Sequence, residues 1–396
     1  MSAQLSTTST GRATGAPAAW GGVLALSLGA FVLVASEFMP VSLLTPIAGD
    51  LHISEGQAGQ AIAVSGAFAL VTSLAISALA GKLDRKLLLV ALTLLMIVSG
   101  TIAAFAPNYT MFMLGRAFIG VAIGGFWSMS AATAMRLVPP EKVPKALAIV
   151  NGGNALATVV AAPLGSFLGA IIGWRGAFFC LIPVAAIALA WKLVSLPAMP
   201  PARQRRTGSI FTLLKSAPVA LGMVASSLFF MGQFALFTYL RPFLETVTQV
   251  TPATLTLLLF VVGIAGFVGT TLIGGLLKDG LYRTLIVIPL ILAAVAVALI
   301  AFGASIPVTA VLLALWGLLA TSAPVGWWTW VARTLPHDAE AGGGLLVAIV
   351  QLAIASGATV GGMLFDGFGY QATFGAAAAI LVLASFTTLL AARHAK

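Results

Sequence analysis

The sequence predicts an all-α, multi-pass membrane protein of twelve transmembrane helices, arranged as two pseudo-symmetric bundles of six. Three observations carry the prediction. Hydrophobic residues are 60% of the 396 and charged residues only 8%, a mean hydropathy of +1.09; a water-soluble chain of this length has too little interior for so much apolar surface. Apolar runs of about the length of a bilayer crossing, roughly 20 residues, recur twelve times along the chain. The chain also echoes itself at an offset of 195–197 residues.

The elements follow in order. Residues 1–19, rich in Ser, Thr, Ala and Gly, read as a disordered tail. The apolar stretch after Arg12 is too long for a cleavable signal core. Spans are expected near 20–47, 57–80, 87–106, 110–135, 144–171 and 175–194, then 217–243, 253–277, 284–303, 306–332, 343–365 and 371–391. The basic, Pro-containing stretch 195–216 divides them into an N-terminal bundle (20–194) and a C-terminal bundle (217–391), with a short tail over 392–396.

Charge gives the orientation. Seventeen of the 20 Lys and Arg residues fall in the tails, the central linker or alternate loops on one side, with Lys192 counted at the linker edge. The positive-inside rule makes that side cytoplasmic, with both termini inside. Arg116, Arg175 and Arg241 are the exceptions. The net charge of +10 is scattered in small groups, which argues against a nucleic-acid partner. The single Cys180 excludes an intramolecular disulfide, and His52, His337 and His394 lack metal-ligand spacing. No Gly-x-x-x-x-Gly-Lys-Ser/Thr loop is present, so ATP is not expected as energy source. A membrane enzyme needs a second acid, a His or a metal cluster, and none stands out. The partners expected are the lipid bilayer and a small-molecule substrate, with no cofactor beyond a proton gradient; a monomer suffices.

The echo is most informative in the first and seventh spans. Glu37-Phe38-Met39-Pro40 through Pro46 is matched by Gln233-Phe234-Ala235-Leu236 through Pro242, with the acid kept in one half only. Gly173-Trp174-Arg175 is matched by Gly369-Tyr370-Gln371, and Asn154 by Gln351. Parallel repeats of this kind characterise secondary transporters, whose site lies near the bilayer midplane between the repeats.

Glu37 stands nine residues from Pro46, roughly 14 Å along a helix and so near midplane. A carboxylate there costs about 2.5–3.5 kcal/mol on insertion scales, and residues retained at that cost serve function. Three readings are open: a proton carrier, a fixed partner of a buried cation, or a substrate contact. Arg116, roughly 9 Å deep in the fourth span, is the candidate cation. Gly120, Trp127 and Ser130 fall within about 40° of it on a helical projection. Asn151, Asn154 and Thr158 share one face of the fifth span. Amides donate and accept together, so Asn151, Asn154, Gln233 and Gln351 suit a nucleobase or sugar edge, or else hydrogen-bond between helices. Trp127, Trp327 and Trp328 are candidates to stack on a planar ligand, or to mark the membrane interface. Tyr239 and Arg241 are gate residues or interfacial anchors.

Over residues 20–391 the chain resembles the major facilitator superfamily, and within it the twelve-span drug:proton antiporters. The resemblance rests on Ala80…Asp84-Arg85-Lys86 after the second span, Arg116-Ala117-Phe118-Ile119-Gly120 in the fourth, and Ala162-Pro163-Leu164-Gly165 in the fifth. Ala80 replaces that family's leading Gly, and the fifth-span signature is partial. Glu37 through Pro46, Gly124 through Ala131, Arg136 through Pro140 and Gly232-Gln233-Phe234-Ala235 resemble the bacterial purine ribonucleoside efflux pumps. The resemblance implies proton-coupled efflux of a small polar solute by alternating access, with sugar or multidrug export as the alternative. It also implies a conformational latch at Asp84, Arg85 and Lys86, echoed by Gly275 and Asp279.

Overall fold

The computed structural model describes residues 18–80, 83–200, 210–336 and 339–394. Nearly all of the expected N-terminal tail lies outside these, as do residues 395–396, Lys82, His337 and the middle of the linker, 201–209. Among the described residues helix is the only regular structure. α1 (Trp20–Ser42) forms the first span, with the short α2 (Leu44–Leu51) beyond its end, and α3 (Glu55–Ala80), α4 (Arg85–Ala104) and α5 (Tyr109–Leu137) the next three. α6 (Val143–Ser195) supplies the fifth and sixth, and α7 (Ala217–Phe237) with α8 (Leu240–Thr246) the seventh. α9 (Pro252–Phe302) gives two more, α10 (Ile306–Ala320) with α11 (Ala323–Thr334) the tenth, and α12 (Ala339–His394) the last two.

The three longest helices cannot cross once. At about 1.5 Å per residue each exceeds 75 Å, more than twice the roughly 30 Å hydrocarbon core. Each turns at a glycine. Gly173 (φ 73°, ψ 165°) and Gly369 (φ 79°, ψ −177°) occupy a region that essentially only glycine adopts, and α9 bends at Gly280. The first part of α6 runs alongside α1, with Gly153 on Ser27 and Gly165 on Ser42. After the turn it returns, placing Trp174 against Asp50 and Ser195 against Gly21.

The internal repeat survives in the packing. Gly165 meets Met39 in the N-terminal half and Gly361 meets Ala235 in the C-terminal half, an offset of 196 in both partners. The halves cross at two related places: Gly66 of α3 lies on Gln351 and Ala355 of α12, and Gly263 of α9 lies on Val159 of α6. Missing side chains let the backbones approach where lipid gives no hydrophobic drive to associate.

One face carries Lys86, Arg136, Lys215, Arg333 and Arg393 and is called the basic face below; the other carries Asp50, Arg175, Arg241 and Asp366. The hydrogen bonds between the halves among the described residues all lie from midplane to this opposite face. Asp366 of α12 accepts from Ser54 Oγ (2.5 Å) and from Gly56 N (2.9 Å) at the start of α3. Thr256 bonds Ser166 at 3.0 Å, Thr359 bonds Gln60 at 3.1 Å, and Arg241 Nη1 donates to Ser42 O. Tyr239, fully buried, fills the space beside Gly59 and donates to Ala358 O. The cleft between the halves is therefore closed toward the opposite face.

Burial of ionisable groups breaks the symmetry. Among the described residues, the buried Asp, Glu, Lys and Arg are Glu37, Arg116 and Lys192, all in the N-terminal half. Lys192 corrects an expectation. It does not sit at the linker edge but inside the bundle, donating to Thr93 Oγ1 at 2.7 Å and lying over the Phe126 ring.

Candidate functional site

Pro40 sits inside α1 and has no N–H to give, so the carbonyl four residues back, on Ser36, loses its intrahelical donor. Arg116 of α5 supplies it, with Nη1 2.8 Å from Ser36 O. The same guanidinium donates to Glu37 O (3.1 Å), Ala61 O (3.1 Å) and Ser65 Oγ (3.2 Å), tying α1, α3 and α5 together. Arg116 is 1% exposed, and its donors are spent on the backbone. The ion pair with the Glu37 carboxylate, one of the readings open for that residue, is not formed, whereas Arg175 pairs with Asp50 and Arg241 with Glu245.

The other two arginines off the basic face have similar employment. Arg241 donates to Ser42 O at the end of α1, a carbonyl that Pro46, four residues on, cannot serve. Arg175 pairs with Asp50, stacks on Trp174 and donates to Ala106 O, fastening the turn at Gly173. Its hydrogen bond holds the Asp50 carboxyl below the usual carboxylate range.

The Glu37 side chain, 5% exposed, reaches across to the other half, where Gln351 Nε2 lies 3.5 Å from Oε1. One residue on, Phe38 stacks against Phe234, the equivalent residue of the other repeat, with ring centroids 5.7 Å apart. Gln233, the counterpart of Glu37, keeps its Oε1 buried without a hydrogen-bond partner. Glu37 and Gln351, and beside them Phe38 and Phe234, thus join the two halves at the closed end of the cleft, with Gln233 next to Phe234 on α7. On α6, Asn154 is half-buried and Asn151 exposed, the latter donating to Leu147 O of its own helix.

Other predicted site residues are placed elsewhere. Ser130 is buried in the N-terminal bundle, and Trp127 is half-buried edge-on to Phe126. Trp327 lies in the hydrophobic core of the C-terminal half beside Trp330, whose indole donates to Tyr282 Oη. Trp328 is 49% exposed, next to Gly343. Tyr239 is a plug of the opposite-face seal. Asp84 does not meet the other half: it caps α4 through Lys86 N (2.7 Å) and holds the linker through Met199 N (2.8 Å). Lys86 Nζ caps Leu193 O, while Gly275 and Asp279 lie exposed near the Gly280 bend. Asp366, central to the seal, is absent from the sequence-derived candidates, although its counterpart in the first repeat, Ala170, marks it as an acid present in one half only.

The sequence profile of the Major Facilitator Superfamily matches residues 26–345. The chain is 63% identical over 378 residues, 94% of each chain, to the transcription regulatory protein OpdE of Pseudomonas aeruginosa. It is 42% identical over 364 residues, 92% of each chain, to the purine ribonucleoside efflux pump NepI of Salmonella paratyphi B. A crystal structure of a bacterial homologue of the human lysosomal transporter Spinster, inward-facing and unoccupied, shares the fold: TM-score 0.76 over 96% of this chain and 98% of that one, at 17% identity. With a match running through both repeats and the corresponding helices already in place, the lineage is settled: this chain belongs to the Major Facilitator Superfamily.

Proposed function

We propose that the protein exports purine ribonucleosides from the bacterial cytoplasm across the inner membrane in exchange for protons, by alternating access and as a monomer. The basic face is cytoplasmic in this reading, both termini lie inside, and the structure represents the state that loads solute from within. The observation that carries the reading is Glu37: a buried carboxyl at the meeting point of the halves, whose side chain contacts the opposite half through Gln351. A proton arriving there changes a contact that must break or re-form when the halves rock. The solute class rests on the likeness to the Salmonella pump and on the amides and paired phenylalanines at the end of the cleft.

Energetics permit the exchange. One proton returning across 100 mV releases about 2.3 kcal/mol, enough for roughly a fifty-fold solute gradient at 1.4 kcal/mol per tenfold. In this scheme Arg116 fixes the α1 kink that presents Glu37, and Asp84 with Arg85 and Lys86 engages the other half only after the cytoplasmic side closes. The name of the Pseudomonas relative is compatible: an exporter that sets the level of an intracellular signalling solute alters transcription without touching DNA. A sugar or drug would be the cargo if nucleosides are not.

The test is efflux of radiolabelled inosine and guanosine from proteoliposomes, with and without an imposed proton gradient. Gradient-driven release that Glu37→Gln abolishes is the expected result. No nucleoside movement by wild type removes the substrate class, and uphill pumping by Glu37→Gln removes the proton role.

A further inference from the structure

Glu37 and Gln351 belong to opposite halves, and Gln351 Nε2 reaches Glu37 Oε1 at 3.5 Å. That is the outer limit of a hydrogen bond, so a displacement of a few tenths of an ångström breaks it. The contact therefore depends on what fixes the spacing of α1 and α12.

Two adjacent residues of α3 reach both sides of it. Ser65, buried, accepts from Arg116 Nη2 at 3.2 Å, and the same guanidinium holds Ser36 O and Glu37 O of α1. Gly66 faces α12. A side-chain carbon there would stand 2.9 Å from the carbonyl oxygen of Gln351 itself and 3.1 Å from Ala355 Cβ. Both are tighter than ordinary van der Waals contact, so any side chain at 66 drives the two helices apart. α3 has no room to yield the other way, because Gly120 of α5 lies against Ser65 O and Gly124 against Ala69 O. The backbones of α5, α3 and α12 are thus stacked in contact, and a push at residue 66 falls on the residue whose amide meets Glu37.

The charged groups around Glu37 are few. From α5 comes Arg116, whose donors go to backbone carbonyls and Ser65. Lys192 of α6 lies against Gly29 of α1, eight residues and roughly 12 Å before Glu37. Arg241 of α8 donates to Ser42 O, five residues after it. α7 carries no ionisable residue, α3 carries Glu55 at its start, and α12 contributes Asp366 at the opposite-face seal.

We propose that Gly66 is a positioning residue for proton exchange: its missing side chain seats α12 on α3 at the separation from which Gln351 reaches the Glu37 carboxyl. This rests on the proton role given to Glu37 above. Arg116 and Ser65 fix the α1 side of the gauge, and Gly66 fixes the α12 side. When the halves rock apart at Gly66 the hydrogen bond parts with them, which ties proton binding at Glu37 to the separation of α3 and α12.

The experiment follows the Glu37 carboxyl band by infrared difference spectroscopy over a pH titration of the full-length protein in lipid, with Glu37→Gln identifying the band. A hydrogen bond to a carboxyl changes where it titrates. Gln351→Leu should move the midpoint by about 0.5–1 pH unit. Gly66→Ala should move it in the same sense by a similar amount, and the double variant should show no further shift, since both changes remove one contact. Ala355→Val approaches the same crossing from α12 and replaces Gly66→Ala if that variant does not fold. Gly263→Ala crowds the related crossing of α9 on Val159 of α6, away from Glu37, and should leave the midpoint in place. A wild-type midpoint in Gly66→Ala, additive shifts in the double variant, or an equal shift in Gly263→Ala overturns the assignment while leaving Glu37 as the proton site. A wild-type protein without a titrating band that Glu37→Gln removes overturns the proton role and this assignment together.

Discussion

Arg116 and Pro40 form a pair whose energetics the molecule itself controls for. Pro40 deprives Ser36 O of its helical donor, and Arg116 Nη1 replaces it at 2.8 Å. In the second repeat both partners are gone: Pro40 corresponds to Leu236 and Arg116 to Leu313, each fully buried in the C-terminal core. Arg116→Leu alone should cost about 3–5 kcal/mol, the range for deleting one partner from a buried charged network. About 1–3 kcal/mol of that is the desolvation cost of leaving Ser36 O bare. The carbonyls of Glu37 and Ala61 are less exposed to the loss, because each also faces an intrahelical N–H, on Val41 and Ser65. Pro40→Leu restores the missing N–H, so the double variant should recover about 1–3 kcal/mol relative to additivity. The assay is a double-mutant cycle of reversible unfolding in mixed micelles, with all four proteins in the same detergent. Additive losses, with coupling below about 0.5 kcal/mol, would refute the claim that Arg116 is there to serve the proline-freed carbonyl.

Three further outcomes follow from the geometry. Asp366→Ala removes the carboxylate that caps the start of α3, worth about 0.5–2 kcal/mol, and so shifts the halves toward opening on the opposite face. Thiol labelling from that face of a cysteine replacing Val41, in a Cys180→Ala background, should rise about two- to thirty-fold; unchanged labelling would show that Asp366 does not hold the seal. Lys192→Met should leave thermal stability equal or higher, because a buried amine with one hydrogen bond is replaced by an apolar chain of similar length. A large loss would mean that Lys192 has a structural value its contacts do not show. The Asp50 carboxyl is held below its usual range, so its tie to Arg175 contributes fully above the unfolded carboxylate range and fades as pH falls through the lowered folded value. Both side chains are more than a third exposed, so Asp50→Asn should cost under about 1 kcal/mol at neutral pH, and less near pH 3, by thermal melting at both pH values.

What could be read from the sequence, and what could not, divides along a physical line. Spans were legible because a bilayer imposes length and apolarity on each crossing, and the internal offset was legible because Gly173 and Gly369 must both take a backbone only glycine tolerates. Glu37 stood out for its cost, and the structure sets it where the halves meet. The partner of Arg116 was not legible by matching charges. Pairing a buried cation with the nearest acid overlooks the backbone, whose carbonyls can take a second donor and are left wholly without one inside a helix where a proline follows four residues on. Pro40 and Pro46 leave two such carbonyls, and Arg116 and Arg241 serve both. Trp327 reads as a ligand platform in the sequence, but after the Pro324 break between α10 and α11 it lies in the C-terminal core beside Trp330, which occupies the space left by Gly222. In a membrane bundle, then, an arginine off the basic face is best read against the prolines of its neighbours before any carboxylate. That order of search would have found the Arg116 clamp and left Glu37 free for Gln351.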